Sequence, residues 1–388
     1  MKDFTFSFPT QVVFGHGAEQ NLGRLAAPHG PKVLILYGSE RIRRSGLLPA
    51  LEAQLAENGL EWVECGGIQE NPVLSKAEEA CRIVREEGVT LLLAVGGGSV
   101  IDTAKAVSLG ALYDGPLWSL YQQAAEPTRA LPIGVVLTMA ATASEANCVS
   151  VLRNDRLNQK LALTQPLTYP KFALMNPELT FTVPPYQTAA GSVDIFAHSF
   201  ERYFHKGQEG TLRSQMCAAV MRTVIEELPK ALARPDDYDA RSQLMWASTV
   251  SHSNMLGFEG DFACHALSHV LTGAFELSHG TGLGILMPAW CAFQAEREPE
   301  AIAQFARLVW QIPAQGSVQE QAQAGVQAFR DFVRASGLPV TLREAGCGDA
   351  DPEKLAQIAL PDQTGFLGGN FRRLHYLDVV RVLELARG

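Results

Sequence analysis

The chain has no CxxC pair, no internal repeat and no low-complexity stretch. It also lacks any apolar run approaching the ~20 residues of a membrane span. Each absence removes a class. The seven cysteines (Cys65, Cys81, Cys148, Cys217, Cys264, Cys291, Cys347) are scattered and odd in number. They read as reduced thiols, not as a disulfide framework. Charged residues make up 19% and the net charge is −9. The first is too low for a disordered or coiled-coil chain, and the second argues against nucleic acid as a partner, since phosphate binding needs clustered cations. The opening MKDFTFSFPTQVVFG alternates apolar and polar residues, unlike a signal peptide. The expectation is a soluble, cytoplasmic protein with neither a membrane nor a nucleic-acid partner.

Hydrophobic residues reach 47% of 388, enough for a sizeable core in two or three domains. The first half alternates strand-like and helix-like segments. Residues 4–8 and 11–15 read as short strands split by Pro9, and KVLILYG (32–38) as a buried strand before a helix near 46–58. LEWVECGGI holds another strand, and a helix follows Asn71-Pro72 to about Glu87. LLLAVGGG (91–98) is a strand ending in glycines, VIDTAKAVSLGA a helix, and IGVVLT (133–138) a further strand. This alternation predicts a parallel sheet covered on both faces. Past the prolines at 184–185, strand-like runs nearly vanish. Helical spacing covers 186–205, 211–232, 239–256, 260–277, 299–311, 318–335 and 372–386.

Two turns have the chemistry of phosphate sites. In LLLAVGGGSVIDTAKAV, glycines allow close approach of an anion to a helix start. Ser99 reads as a cap or a donor, and Asp102 as a first-turn carboxylate or a group holding ribose or amide. The pattern is not GxGxxG, and its plainer reading is an ordinary strand-to-helix turn. LTMAATASEAN (137–147) is small and hydroxyl-rich after a strand; Thr138, Thr142 and Ser144 offer donors, or simply form a polar loop.

The second half holds a metal-like pattern. Asp194 and His198 are four apart, hence on one helix face. His265 and His269 repeat the spacing, and His279 precedes a glycine-rich stretch. One carboxylate with three imidazoles suits Fe²⁺ or Zn²⁺. Each histidine alone reads as a hydrogen-bonded residue, and His16, His29, His205, His252 and His375 keep that reading.

FGHGAEQNLG, AVGGGSVIDTAKAV, VLTMAATASEAN, NQK at Lys160, LMNPELTFTVPPYQTAAGSVDIFAHSFERY and GDFACHALSHVLTGAFELSHGTGLGILMP occur in that order. The set resembles the iron-containing (group III) alcohol dehydrogenase family, in its butanol dehydrogenase and broad-range aldehyde reductase branch. The resemblance covers essentially the whole chain. It implies a Rossmann-like α/β dinucleotide-binding domain over 1–183, built on a parallel sheet, and an all-helical metal-binding domain over 184–388. It places the metal on Asp194, His198, His265 and His279, and leaves His269 near nicotinamide and substrate as a proton relay. It puts Asn71, Gly97, Gly98, Ser99, Asp102, Thr138, Thr142, Asn147, Lys160 and Leu179 around the coenzyme.

The implied reaction is hydride transfer between a nicotinamide and a small primary alcohol or its aldehyde, with a metal as Lewis acid. An acidic residue after the KVLILYG strand would hold the ribose diol of NAD. Gly38 and Ser39 stand there, with Arg41, Arg43 and Arg44 behind, which favours NADP(H); Glu40 is the opposing signal. A homodimer is the expected assembly. A lyase on the same scaffold would need a basic substrate pocket that the second half lacks. A non-catalytic sensor would bind without turnover.

Overall fold

The buried aliphatic runs become strands of a parallel sheet in the computed structural model, which describes residues 3–157, 159–207, 210–257 and 259–388. The chain divides into two units, Met1–Thr182 and Val183–Gly388. The first holds β1 (Gln11–Phe14), β2 (Lys32–Tyr37), β3 (Glu61–Cys65), β4 (Leu91–Gly96), β5 (Ile133–Leu137), β6 (Val149–Asn154), β7 (Gln159–Thr164) and β8 (Phe172–Met175). Its helices are α1 (Leu22–Ala26), α2 (Arg41–Arg44), α3 (Leu47–Glu57), α4 (Leu74–Glu87), α5 (Gly98–Gly110) and α6 (Leu117–Tyr121). Six strands pair in the order β1-β8-β5-β4-β2-β3, all parallel. Every residue of β4 and β5 is buried, as helices on both faces require.

Strand order reverses between β2 and β4. From β2 the chain moves outward to β3; from β4 it moves to β5 on the other side. Open α/β sheets bind ligands outside the carboxyl ends of strands at such a switch point. Gly38 follows β2 there, and Gly97 and Gly98 follow β4.

The second unit is helical: α7 (Pro185–Tyr203), α8 (Leu212–Ala233), α9 (Tyr238–His252), α10 (Ala263–Phe275), α11 (His279–Ala295), α12 (Pro299–Val309), α13 (Val318–Ala335), α14 (Pro352–Ala359) and α15 (Tyr376–Arg387), with two-residue strands β9 (Leu367–Gly368) and β10 (Arg373–Leu374). Every residue of α7 from Thr188 to Tyr203 is buried, so it is the central helix. Its Phe196 and Phe200 enter an aromatic core, with ring centroids 4.8 Å from Phe329 and 5.4 Å from Trp290.

Several expectations change. Residues 4–8 form no strand, because alternation supplies a pattern but not a ladder partner; β1 is one of the sheet's two edge strands. The helix expected over 239–256 ends at His252, and the one over 260–277 runs only over Ala263–Phe275. Left-handed residues mark those ends: Asn254, Phe262 and Glu276. The β6–β7 hairpin, β8, α6, α11 and α14 were not legible as elements. In α11, Gly280, Gly282, Gly284 and Pro288 hid the helical period.

Candidate functional site

A central helix buried on all sides has to satisfy its polar residues internally. Asp194, His198 and Glu201 lie on one face of α7, at spacings of four and three. Their exposures are 4%, 5% and 2%. Asp194 Oδ1 is 3.6 Å from His198 Nδ1, 3.6 Å from His265 Nε2 and 3.7 Å from His279 Nε2. Ligand atoms of Asp194, His198 and His265 all lie within 4.8 Å of one another. The structure thus brings one residue of α10 and the first residue of α11 onto two residues of α7.

Two of these atoms, His198 Nδ1 and His265 Nε2, are buried without a hydrogen-bond partner. Lone pairs aimed at a common point beside a carboxylate are what a divalent cation satisfies. Burial first, then His252 and His265, hold the His198 imidazole well below its ordinary range, so it stays neutral and able to ligate. Burial also opposes charge on His265, but Glu201 and Asp194 outweigh it and push the pKa up to about 9. A bound cation answers the same negative field as that proton. The residues fit a metal.

The orientation of each imidazole is set from behind. Glu201 takes the Nδ1 proton of His265 in a short hydrogen bond and also accepts the backbone N–H of Cys264 at 2.7 Å. With Nδ1 protonated, the lone pair of His265 is on Nε2. Ser268 Oγ lies 3.0 Å from both His279 Nδ1 and the His279 carbonyl oxygen. Donating to the carbonyl and accepting from Nδ1–H satisfies both contacts, and leaves the His279 lone pair on Nε2. Arg202 donates to the His198 carbonyl (3.0 Å) and to His252 Nδ1 (2.8 Å), and the His252 ring lies 4.2 Å from that of His198. Glu201, Ser268 and Arg202 were missed from sequence. The signal for Glu201 was present, seven residues after Asp194 on the same face. His269 lies one turn after His265, its ring 5.2 Å from that of His279.

In the first unit, α5 is capped by Gly97 and not by the Ser99 side chain. A Cβ at Gly98 would lie 2.6 Å from Thr142 Oγ1, so the two candidate phosphate segments touch where only glycine fits. Thr138 N–H donates to the Gly96 carbonyl at 3.1 Å. Asp102 falls beyond the first turn of α5. Its carboxylate accepts from Ser144 Oγ (2.6 Å) and from Val151 N–H (3.0 Å). Asn147 is 4% exposed, and its amide donates to the Thr142 carbonyl at 3.2 Å. Lys160 donates to Asn71 Oδ1 at 2.9 Å, and Leu179 packs half-buried on the sheet's core. Gly38 and Ser39 follow β2, with Ser39 exposed. Of the arginines behind them, Arg41 donates to the Thr182 carbonyl and Arg43 pairs with Glu64 at 2.6 Å.

A parallel sheet with a glycine turn at its switch point, and a helical unit with an Asp-His₃ cluster, define a class that sequence comparison identifies. Residues 9–177 match the iron-containing alcohol dehydrogenase family, and residues 188–387 match its C-terminal domain. The chain belongs to the iron-containing alcohol dehydrogenase family and is an oxidoreductase. It is 35% identical, over 99% of both chains, to a probable NADH-dependent butanol dehydrogenase of Bacillus subtilis. It is also 35% identical to an NADPH-dependent aldehyde reductase of Escherichia coli, over 92% of this chain and 93% of that one. The crystal structure of an NADH-dependent butanol dehydrogenase A from Thermotoga maritima superposes with a TM-score of 0.92 at 34% identity, covering 100% of this chain and 99% of that one.

Proposed function

We propose that the protein is a metal-dependent, nicotinamide-linked alcohol dehydrogenase and aldehyde reductase, acting on small primary alcohols and their aldehydes. The observation that carries the reading is the convergence of His198 Nδ1, His265 Nε2 and His279 Nε2 on Asp194 Oδ1. These four residues would hold one divalent metal, Fe²⁺ or Zn²⁺, both of which such ligands suit. When bound, the metal supplies Lewis acidity toward an alcohol or carbonyl oxygen, and the nicotinamide supplies hydride exchange. The chain's residues do the rest. Glu201 and Ser268 orient two of the imidazoles, the aromatic core fixes α7, and His269 moves a proton at its ring. In this reading Gly97, Gly98, Ser99, Thr138 and Thr142 receive the coenzyme phosphates. Asn71, Lys160 and Leu179 lie beside it, and Gly38 and Ser39 meet the adenosine ribose.

The test is NADPH and NADH oxidation over an aldehyde panel, with chelated enzyme reloaded by Fe²⁺, Zn²⁺ or Mn²⁺. Turnover restored by one of these metals is expected. No turnover with any metal, coenzyme or aldehyde rejects the reading. The enzyme is cytoplasmic and homodimeric in this reading. No described helix is long and apolar enough to cross a membrane. Light scattering checks the assembly, and a monomer mass rejects it.

NADP(H) is the proposed coenzyme, because Gly38 and Ser39 offer no carboxylate to repel a 2′-phosphate. One observation favours NAD(H) instead. Arg43 is held by Glu64, Glu52 and Glu40 (2.6, 3.6 and 3.6 Å), so its charge is already answered. The ratio of kcat/KM for NADPH over NADH decides, and a value below one selects NAD(H). Ser39→Asp should lower that ratio about tenfold or more by placing a carboxylate beside the phosphate. Ser39 is the better position than Gly38, where a Cβ would lie 3.1 Å from the Ile68 carbonyl.

A further inference from the structure

Two of the imidazoles that meet at Asp194 are held at Nδ1 by a hydrogen bond, His265 by Glu201 and His279 by Ser268. His198 is not. Its Nδ1 is buried without a hydrogen-bond partner, so no bond at that atom fixes which way the ring turns. Two other imidazoles pack against it instead. The His252 ring lies 4.2 Å away with 36° between the planes, and the His265 ring 4.6 Å away with 43°. In a close-packed interior such neighbours decide the rotamer.

Arg202, one turn after His198 on α7, holds His252 in that place. It is 2% exposed, and burying a guanidinium is costly unless its donors are used. Nε donates to the Gly257 carbonyl (3.3 Å), Nη1 to the His198 carbonyl (3.0 Å) and Nη2 to His252 Nδ1 (2.8 Å). Its charge also lies over the Phe262 ring, 5.0 Å from the centroid. A guanidinium only donates, so His252 Nδ1 accepts and the His252 proton is on Nε2. The contacts close on themselves. They run from the His198 carbonyl through Arg202 to His252, the last residue of α9, and back to the His198 imidazole. A leucine at 252 would fill space beside His198, but it would offer Arg202 no acceptor and the imidazole no flat face.

We propose that His252 and Arg202 are positioning residues for the metal. Arg202 fixes the His252 ring, and that ring holds the plane of the His198 imidazole, so that His198 meets the ion shared with Asp194, His265 and His279. The pair does by packing what Glu201 and Ser268 do by hydrogen bonding. The inference rests on the reading that these four residues hold a divalent cation. It gives a role to a histidine that lies outside both i,i+4 pairs and reads in the sequence as an ordinary hydrogen-bonded residue.

The experiment titrates chelated wild type, His252→Ala and His252→Phe with Zn²⁺ against a chromophoric chelator, and records the visible spectrum of each loaded with Co²⁺. The Zn²⁺ Kd of His252→Ala should rise about tenfold or more, and its Co²⁺ bands should shift as His198 leaves its single orientation. His252→Phe keeps a ring against His198 and should lie between alanine and wild type in both readouts. If the wild type binds no Zn²⁺, the functional reading fails. If the wild type binds and His252→Ala matches it in Kd and Co²⁺ spectrum, this inference alone is overturned, even where the Tm falls. A phenylalanine variant as weak as the alanine one also overturns it, since the ring then holds nothing. Should His252→Ala not fold, nitrogen NMR of wild type labelled in histidine decides. His252 should carry its proton on Nε2 before zinc is added. A proton on Nδ1 would exclude the Arg202 bond and overturn the inference.

Discussion

Glu201 follows His198 by three residues and Asp194 by seven, and its carboxylate fixes the ring of His265. Removing such a partner costs about 10–100-fold in metal affinity. Glu201→Ala should weaken metal binding by that factor in competition with a chromophoric chelator. Glu201→Gln keeps an acceptor for Nδ1–H and should lose less. Equal affinity in Glu201→Ala and wild type would show that His265 is oriented by packing alone. The ligand assignment has its own check. His265→Ala should lose most of its metal by elemental analysis and keep its far-ultraviolet circular dichroism. His269→Ala should keep its metal and change the pH profile of kcat. Metal lost as readily from His269→Ala as from His265→Ala would mean that the roles of the three histidines are divided wrongly. At this scale the i,i+4 pairs were legible, because a helix puts such residues on one face whatever surrounds it. The partners from behind were not. Ser268 meets His279 only because α10 and α11 fold back on each other.

The helix α11 shows what glycine does for an element here. A Cβ at Gly280 would lie 2.0 Å from the Ala190 carbonyl, and one at Gly282 would lie 2.7 Å from Ser268 Oγ. Gly280 lets α11 approach the backbone of α7 closely, Gly282 makes room for Ser268 of α10, and His279 begins that helix. Gly280→Ala should therefore cost about 1–3 kcal/mol by overpacking and weaken the metal as His279 shifts. Chemical denaturation and a metal titration read the two effects. An unchanged midpoint and affinity would mean that the contact relaxes at no cost. The glycines that made α11 illegible in the sequence are thus what seats it. Periodicity was enough for α7, α12 and α13, whose apolar positions recur at helical spacing. The β6–β7 hairpin escaped because it lies outside the main sheet, and no residue of β7 is buried.

Over the whole molecule, two conditions should move stability. Cation binding to the folded cluster stabilises the fold by mass action, about 2.7 kcal/mol at a free metal concentration one hundred times Kd. Chelation should lower the Tm, and Fe²⁺ or Zn²⁺ should restore it; a Tm indifferent to chelation would argue against a bound metal. The second condition is pH. Burial first, then Glu201, raises the Asp261 pKa from 3.8 to about 6, against the N–H groups of Phe371 and Gly369. A raised folded-state pKa gives a stabilising contribution that is full below 3.8 and lost as pH rises through 6. A shift of roughly two units is worth about 3 kcal/mol. Asp261→Asn keeps an acceptor for the Gly369 and Phe371 N–H groups and should flatten the dependence of unfolding free energy between pH 4 and 6. A slope there equal to that of wild type would place the titrating group elsewhere.

Some of this was settled by the sequence alone. Buried strands alternating with helices set the α/β half, helical spacing set most of the second, and ordered motifs set the family. These are local properties, written in periods of a few residues and in short strings. The family resemblance named His198, His265 and His279, but only the tertiary structure brings them, from three separate helices, onto one carboxylate. It also turned Asp102 onto Ser144 and Val151 and Asn147 onto Thr142, and engaged Arg41 and Arg43 with Thr182 and Glu64. A residue's type states what it can bond; its partners are distant in sequence, so only the folded chain decides which bond it makes.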